Sequence, residues 1–311
     1  MGCETSRQRQ LIILGREASA LKERSKQSSG LMDFMIYAVF IGFSLITLIP
    51  FILAIIVSVS DENSVVLNGY QFIPQKFSLS AYAVVFQDGI VLNAYRITLI
   101  VTVLGTFISL VFSSMLGYMM SVQKVRFGKQ IAFFTFIPIV FSAGLVPWYL
   151  VVTNILHLKN TIWALILPIA INPFNVFLLR NYFKTIPPSL SESAEIDGAG
   201  PWYTFFKIIT PLSGPILATV GLFASLSYWN DFTMSLWLID DRKLFSVQYL
   251  LYRINSMISY MSQHANMSTT SLPSETIVFA MFLIAIGPII LVYPYVQKYF
   301  VKGIMIGSIK G

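Results

Sequence analysis

Residues 192–211 read ESAEIDGAGPWYTFFKIITP, and three carboxylates, Glu192, Glu195 and Asp197, crowd into six positions there. Two glycines, a proline and an aromatic run follow. The chain around this stretch is 56% hydrophobic and only 11% charged, with a mean hydropathy of +0.72. A soluble domain carries about a quarter charged residues, so the composition points to a membrane protein. The acidic stretch must then have a place beside the bilayer.

Six apolar runs flank it, near 34–60, 97–121, 130–153, 161–179, 213–238 and 276–297. Each is long enough to cross a hydrocarbon core of roughly 30 Å, which takes about 20 helical residues. Backbone groups in lipid must pair within their own segment, so the runs are expected to be helices. The expected fold class is all-α: a polytopic membrane protein with six transmembrane helices. Residues 1–33 form a hydrophilic tail and 34–311 the membrane domain, with loops at 180–212 and 239–275 on opposite sides. The first run is too long for a signal peptide and lacks a small-residue cleavage site, so it is expected to stay as a span.

Basic residues set the orientation. With the N-terminus inside, fifteen Lys and Arg fall in inner segments and six in outer ones, which favours both termini in the cytoplasm. The net charge of +7 is thus a topology signal, and its spread over four inner segments argues against nucleic-acid binding. Cys3 is the only cysteine, and His157 and His264 make no ligand spacing, so neither a disulfide nor a metal is expected. No cofactor is implied. The G-x-x-x-x-G-K-[ST] pattern is absent, since Gly128-Lys129-Gln130 lacks the upstream glycine and the hydroxyl. The chain is not expected to be an enzyme.

Prolines interrupt the spans at Pro50, Pro138, Pro147, Pro168, Pro173, Pro288 and Pro294. Each removes a donor and tends to kink its helix, which is tolerated where neighbours or a water-lined cavity satisfy the freed carbonyls. A bundle whose cavity opens and closes has use for such breaks.

On this topology the opening stretch faces the cytoplasm. Ser189-Leu190-Ser191-Glu192 fits a capping box, which places the acidic residues in the first turns of a helix. Gly198 and Gly200 are suited to stop it with left-handed angles, and Pro201 to open a second helix. There Trp202, Phe205, Phe206 and Ile209 recur at i, i+3, i+4 and i+7 as one apolar face. An amphipathic connector resting on anionic lipid would be basic, whereas this helix is acidic, which suits a protein partner bearing Arg or Lys.

Glu192-Ser193-Ala194, Gly198, Ile208 and Pro211 resemble the EAA motif, E-A-A-x-x-x-G-x9-I-x-L-P, of the permease subunits of ABC importers. Ser193 and Thr210 depart from it. Together with Tyr228-Trp229-Asn230-Asp231-Phe232 and the ending VKGIMIGSIKG, the chain is similar over residues 34–311 to the carbohydrate branch: the maltose-type smaller permease and LplC-type oligosaccharide permeases. The resemblance implies a type I ABC importer permease (MetI-like) bundle in a bacterial plasma membrane. Its expected partners are a second homologous permease, two ATP-binding subunits and an extracellular solute-binding protein. It further implies that 189–200 is the helix coupling ATPase motion to alternating access, carried by Glu192, Ser193, Ala194, Ile196, Asp197, Gly198 and Pro211. ATP hydrolysis would lie on a separate subunit.

Asp231 is the sole ionisable side chain within the apolar runs. With Tyr228, Trp229 and Asn230 it offers hydrogen bonds and ring faces to a sugar, or else a helix cap and an interfacial aromatic belt. Asn172 and Asn175, beside Pro173, are further candidates for the substrate path, with helix-to-helix hydrogen bonding as their other reading. A stand-alone secondary transporter or channel is the alternative function. It would call for buried ionisable residues and usually an internal repeat, and the spans offer one carboxylate and no repeat.

Overall fold

The computed structural model describes residues 32–87, 89–122, 125–263 and 275–290, and helices carry its fold. The β pairing among the described residues is one antiparallel bridge, Ser60 with Phe77. Two of the expected spans are single continuous helices: α1 (Met32–Ser58) and α4 (Ile90–Ser121). Two short helices, α2 (Glu62–Asn68) and α3 (Ser80–Gln87), lie between them. At 1.5 Å per residue α4 is about 48 Å long, well beyond the roughly 30 Å core. It starts seven residues before the expected span, so Arg96 belongs to its second turn and not to a loop.

The remaining runs are broken. The third divides into α5 (Gly128–Val140) and α6 (Leu145–Ile155), parted at Gly144 with φ +84°. The fourth divides into α7 (Ile162–Ile169) and α8 (Pro173–Phe183), bent by 50°. Beyond α9 (Pro188–Ile196) come α10 (Pro201–Leu212) and α11 (Gly214–Asn230), which meet at 85°. Asp231 and Phe232 separate α11 from α12 (Thr233–Leu238). An outer helix, α13 (Val247–Gln263), precedes α14 (Glu275–Ile290). By length and composition two helices suffice to cross alone, or up to four if each bent pair is one span. The count of six crossings therefore rests on the sequence. Residues 1–31 of the N-terminal tail, Pro294, His264 and the VKGIMIGSIKG ending lie outside the described residues, and the last two tail residues open α1.

Why these helices break, and what closes the breaks, follows from backbone donors. In α14, Pro288 has no N–H for the Ile284 carbonyl, and the Tyr95 hydroxyl of α4 donates to it instead. One residue on, the Ala285 carbonyl receives the Trp229 indole N–H of α11 at 3.1 Å. In α7 the last turn tightens around Pro168 into a 3-10 turn, with Ala170 N–H bonded to Leu167 and not to Ile166. The Ile166 carbonyl is taken by the Tyr228 hydroxyl of α11 at 2.9 Å. Pro173 does not interrupt a helix at all: it is the first residue of α8, behind the N-cap Asn172. Nor does Pro50 break α1, which runs through it.

α4 is the spine. Its buried positions include Ala94, Thr98, Val101, Gly105, Ser109, Ser113 and Gly117, a run of mostly small residues at three- and four-residue spacing. Such residues let neighbouring backbones approach closely. At Gly117 an added Cβ would lie 3.1 Å from the Arg180 nitrogen and the Leu179 Cβ of α8. By contrast α1 buries only Ala54, Val57 and Ser58 at its end, and the rest of its surface faces outward.

Just beyond α1, Glu62 clasps the start of α14. One carboxylate oxygen accepts the Glu275 N–H at 3.0 Å, the other the Thr276 N–H at 3.0 Å and its hydroxyl at 2.6 Å. Thr276 is fully buried. The carboxylate thus satisfies amides at the positive end of α14 from a different part of the chain. Tyr70 donates to Glu275 at 2.7 Å, and that bond, with burial second, pushes the phenol up to about 12. The Tyr70 contribution is therefore full below pH 10 and lost as pH rises through 12. Glu62→Ala should destabilise the folded protein by about 2–3 kcal/mol, with Glu62→Gln less affected. Thermal unfolding in detergent measures the difference, and equal midpoints for parent and Glu62→Ala would refute the clasp.

Candidate functional site

The acidic helix α9 is ended by a glycine, as its sequence suggests. Gly198 takes φ +82°. Its N–H bonds to Glu195 at 3.1 Å and that of Ala199 to Ala194 at 2.8 Å, the paired bonds of a Schellman stop. Other details differ from expectation. The helix opens at Pro188 behind Pro187 with no side-chain cap, so the Ser189–Glu192 capping box does not form. Proline at the first position needs no donor and presets φ, which starts the helix two residues early and leaves Glu192 in its second turn. Gly200 is extended, at φ −73°, and serves as N-cap to Pro201.

The second helix of the elbow, α10, contains a π segment over Thr204–Ile209, which turns its register. Phe205 and Ile209 are buried, whereas Trp202 and Phe206 are exposed and stack on one another at 6.1 Å. The four residues therefore do not share one apolar face. The wide turn suits Pro211, which lacks an N–H for the last turn: Thr210 N–H and hydroxyl both go to Phe205, and the Ser213 hydroxyl to Ile209.

Of the motif residues, Ala194 is buried while Glu192, Ser193, Ile196, Asp197, Gly198 and Pro211 are exposed. Ile196 is 86% exposed. So one small residue seats α9 and its acidic and apolar outer face stays open. Between α9 and α10 lies an open groove of about 680 Å³, bounded by Leu190, Ser193, Asp197, Gly198, Tyr203 and Lys207. Behind it, Tyr118 near the C-terminal end of α4 packs on Phe205 at 5.2 Å and Phe183 at 6.2 Å, with the Ser191 side chain at its hydroxyl. Arg180 Nε donates to the Met120 carbonyl at 3.3 Å, a cation at the negative end of α4. Tyr118 was invisible to motif reading, because an aromatic at the end of an apolar run carries no distinguishing spacing.

A second site lies deeper. Asn172, Asn175 and Tyr228 meet around a cavity of about 280 Å³ with Ser109, Phe174, Phe223 and Ser227. Asn172 caps α8, its side-chain oxygen accepting from Phe174 and Asn175 N–H at 2.9 and 3.4 Å. Asn175 is buried, with 4% of its surface exposed, and borders the cavity. The structure does not bring Trp229, Asn230 and Asp231 to this cavity. Trp229 points to Ala285; Asn230 donates to Leu226 at 2.9 Å; Asp231 accepts Met234 N–H at 3.0 Å and caps α12. The helix-cap reading of Asp231 thus matches the geometry.

A family model described as binding-protein-dependent transport system inner membrane component matches residues 19–306. The chain belongs to this family. It is a permease component of the inner membrane, and the match begins inside the stretch assigned to the tail. The polygalacturonan/rhamnogalacturonan transport system permease protein YtcP of Bacillus subtilis is 39% identical over 283 residues, covering 90% of this chain and 99% of that protein. Protein LplC of the same organism is 36% identical over 271 residues, covering 87% and 92%. In the crystal structure of a bacterial ABC transporter involved in the import of the acidic polysaccharide alginate, one chain matches at 31% identity. Its TM-score is 0.76, and the match covers 88% of this chain and 98% of that one.

α11 links the elbow to the cavity: it starts at the 85° junction with α10 and carries Phe223, Ser227 and Tyr228 to the cavity wall. The stop at Gly198 depends on its backbone angle and not on space, since a Cβ there meets nothing within 4 Å. Gly198→Asn, which visits left-handed angles, should therefore keep the elbow, while Gly198→Val should strain it by roughly 1–2 kcal/mol. Limited proteolysis of the 197–201 segment in membranes reads this out, and equal cleavage of the two variants would contradict it.

Proposed function

We propose that the chain is one permease half of an ATP-driven importer of a carbohydrate, an oligosaccharide by the names of its relatives. It pairs with a second, homologous permease, two ATP-binding subunits that hydrolyse the nucleotide, and an extracellular solute-binding protein. Both termini lie in the cytoplasm. The observation that carries this reading is α9: an exposed acidic helix, stopped by a left-handed glycine and seated by one buried alanine against the π segment of α10. A short rigid helix of that kind transmits displacement, and Glu192 gives it a charge-assisted contact for a basic residue on the motor. The largely unburied flank of α1 is the surface offered to lipid and the second permease.

The substrate path runs past Asn172, Asn175 and Tyr228, with Ser109 and Ser227 beside them. Amides and hydroxyls set among the Phe174 and Phe223 rings suit sugar hydroxyls and the apolar faces of sugar rings. Trp229, Asn230 and Asp231 hold helices together beside this path. Glu192→Lys and Gly198→Val should each abolish uptake of the oligosaccharide retained by the cognate binding protein, with normal amounts of permease in the membrane. Uptake at the parent rate by either variant would overturn the coupling assignment. Asn175→Ala should raise the KM for uptake about tenfold, the loss of one hydrogen bond of roughly 1–1.5 kcal/mol, and an unchanged KM would remove Asn175 from the path.

A further inference from the structure

We infer that Tyr228 is the positioning residue through which movement of the elbow reaches the cavity wall, an inference that rests on the cavity being the substrate path. Three helices meet at this side chain. Its backbone belongs to α11, its hydroxyl donates to the Ile166 carbonyl of α7 at 2.9 Å, and its ring lies on Gly105 of α4. A Cβ at Gly105 would stand 2.5–2.7 Å from three ring atoms, closer than real carbon contacts, so the ring has one seat and only glycine provides it. Tyr228 is 3% exposed and Ile166 fully buried. The phenol proton is engaged with protein, which makes Tyr228 a tie and not a sugar ligand.

The position of the tie gives it its task. α11 begins at the 85° junction with α10, whose π segment seats α9. From Gly214 to Tyr228 the helix extends about 21 Å at 1.5 Å per residue. A tilt imposed at the inner end therefore swings Tyr228 at the outer one. Ile166 sits just before the 3-10 turn and the 50° bend into α8, which carries Asn172, Phe174 and Asn175. Pulling on Ile166 moves the half of the pair that borders the cavity. In this apolar setting the carbonyl has no water to turn to, so the hydrogen bond is kept as α11 moves.

The test uses the complete transporter with its partner subunits, in a Cys3→Ser background with Phe174→Cys as reporter on the cavity wall. Alkylation by N-ethylmaleimide is timed without nucleotide and with ATP bound. The parent should change its labelling rate at least fivefold between the two states. Tyr228→Phe, which keeps the ring on Gly105 and removes only the hydroxyl, should reduce that change below twofold. Gly105→Ala, which keeps the hydroxyl and displaces the ring, should do the same. A full nucleotide response in both variants would overturn the inference and leave the cavity reading intact. No response in the parent would overturn the cavity reading, and this inference with it.

Discussion

A peptide carbonyl inside a bilayer has no water to fall back on, and this fold is organised by where its loosened carbonyls find donors. Proline and tight turns release the carbonyls of Ile166 and Ile284, and an indole N–H reaches that of Ala285. All three partners are aromatic: Tyr228, Tyr95 and Trp229. That choice has a physical reason. An aromatic donor fills apolar volume with its ring and carries its single polar atom at the tip, so it reaches across to another helix without burying a second polar group. Serine and threonine, being short, mostly bond here to carbonyls of their own helix, as Thr153, Thr219 and Ser225 do. Broken spans are thereby tied to each other and not merely tolerated.

The same constraint explains why α4 carries small residues. An aromatic tie needs a seat, and Gly105 is the seat for Tyr228, as Gly117 is the close-approach point for α8. At the inner end Tyr118 completes the series by packing on Phe205 and Phe183. One continuous helix thus touches the elbow at its C-terminal end and the cavity through Ser109 near its middle. The outer clasp of Glu62 on α14 fixes the opposite end by charge, where solvent makes a carboxylate affordable.

How much of this was legible beforehand depended on whether a signal was local. The stop at Gly198 and the restart at Pro201 are written in single residues with few conformations open to them, and both were read correctly. The capping box failed because Pro188, one residue upstream, offered an equally local and competing start. The apolar face of α10 failed because a π segment obeys a period that 3.6-residue counting cannot anticipate. Asn172 and Asn175 stood out through their polarity in an apolar run, and the structure sets them around one cavity with Tyr228. Ser109, Ser227 and Tyr118 were not found, since serine and tyrosine are ordinary in membrane helices and only packing singles them out. The adjacency of Tyr228, Trp229, Asn230 and Asp231 in sequence suggested one site. On a helix, neighbours point in different directions, and these four serve four separate contacts.

What drives substrate through such a bundle can be argued from the cavity. Its lining residues are neutral: hydroxyls, amides and rings. A transporter driven by protons couples through groups that gain and lose charge, and Asp231, the one carboxylate in the apolar runs, is committed to the amide of Met234 outside the cavity. The cavity lining holds no carboxylate or amine to carry a proton. That fits a bundle whose states are set from outside, by displacement delivered at a surface. The structure offers such a surface in α9, whose exposed face carries Glu192 and Asp197 while its buried alanine rests on the helix that turns into α11. The polarity of the cavity and the acidity of the elbow are complementary: the charge missing from the cavity lining is found on the exposed face of α9.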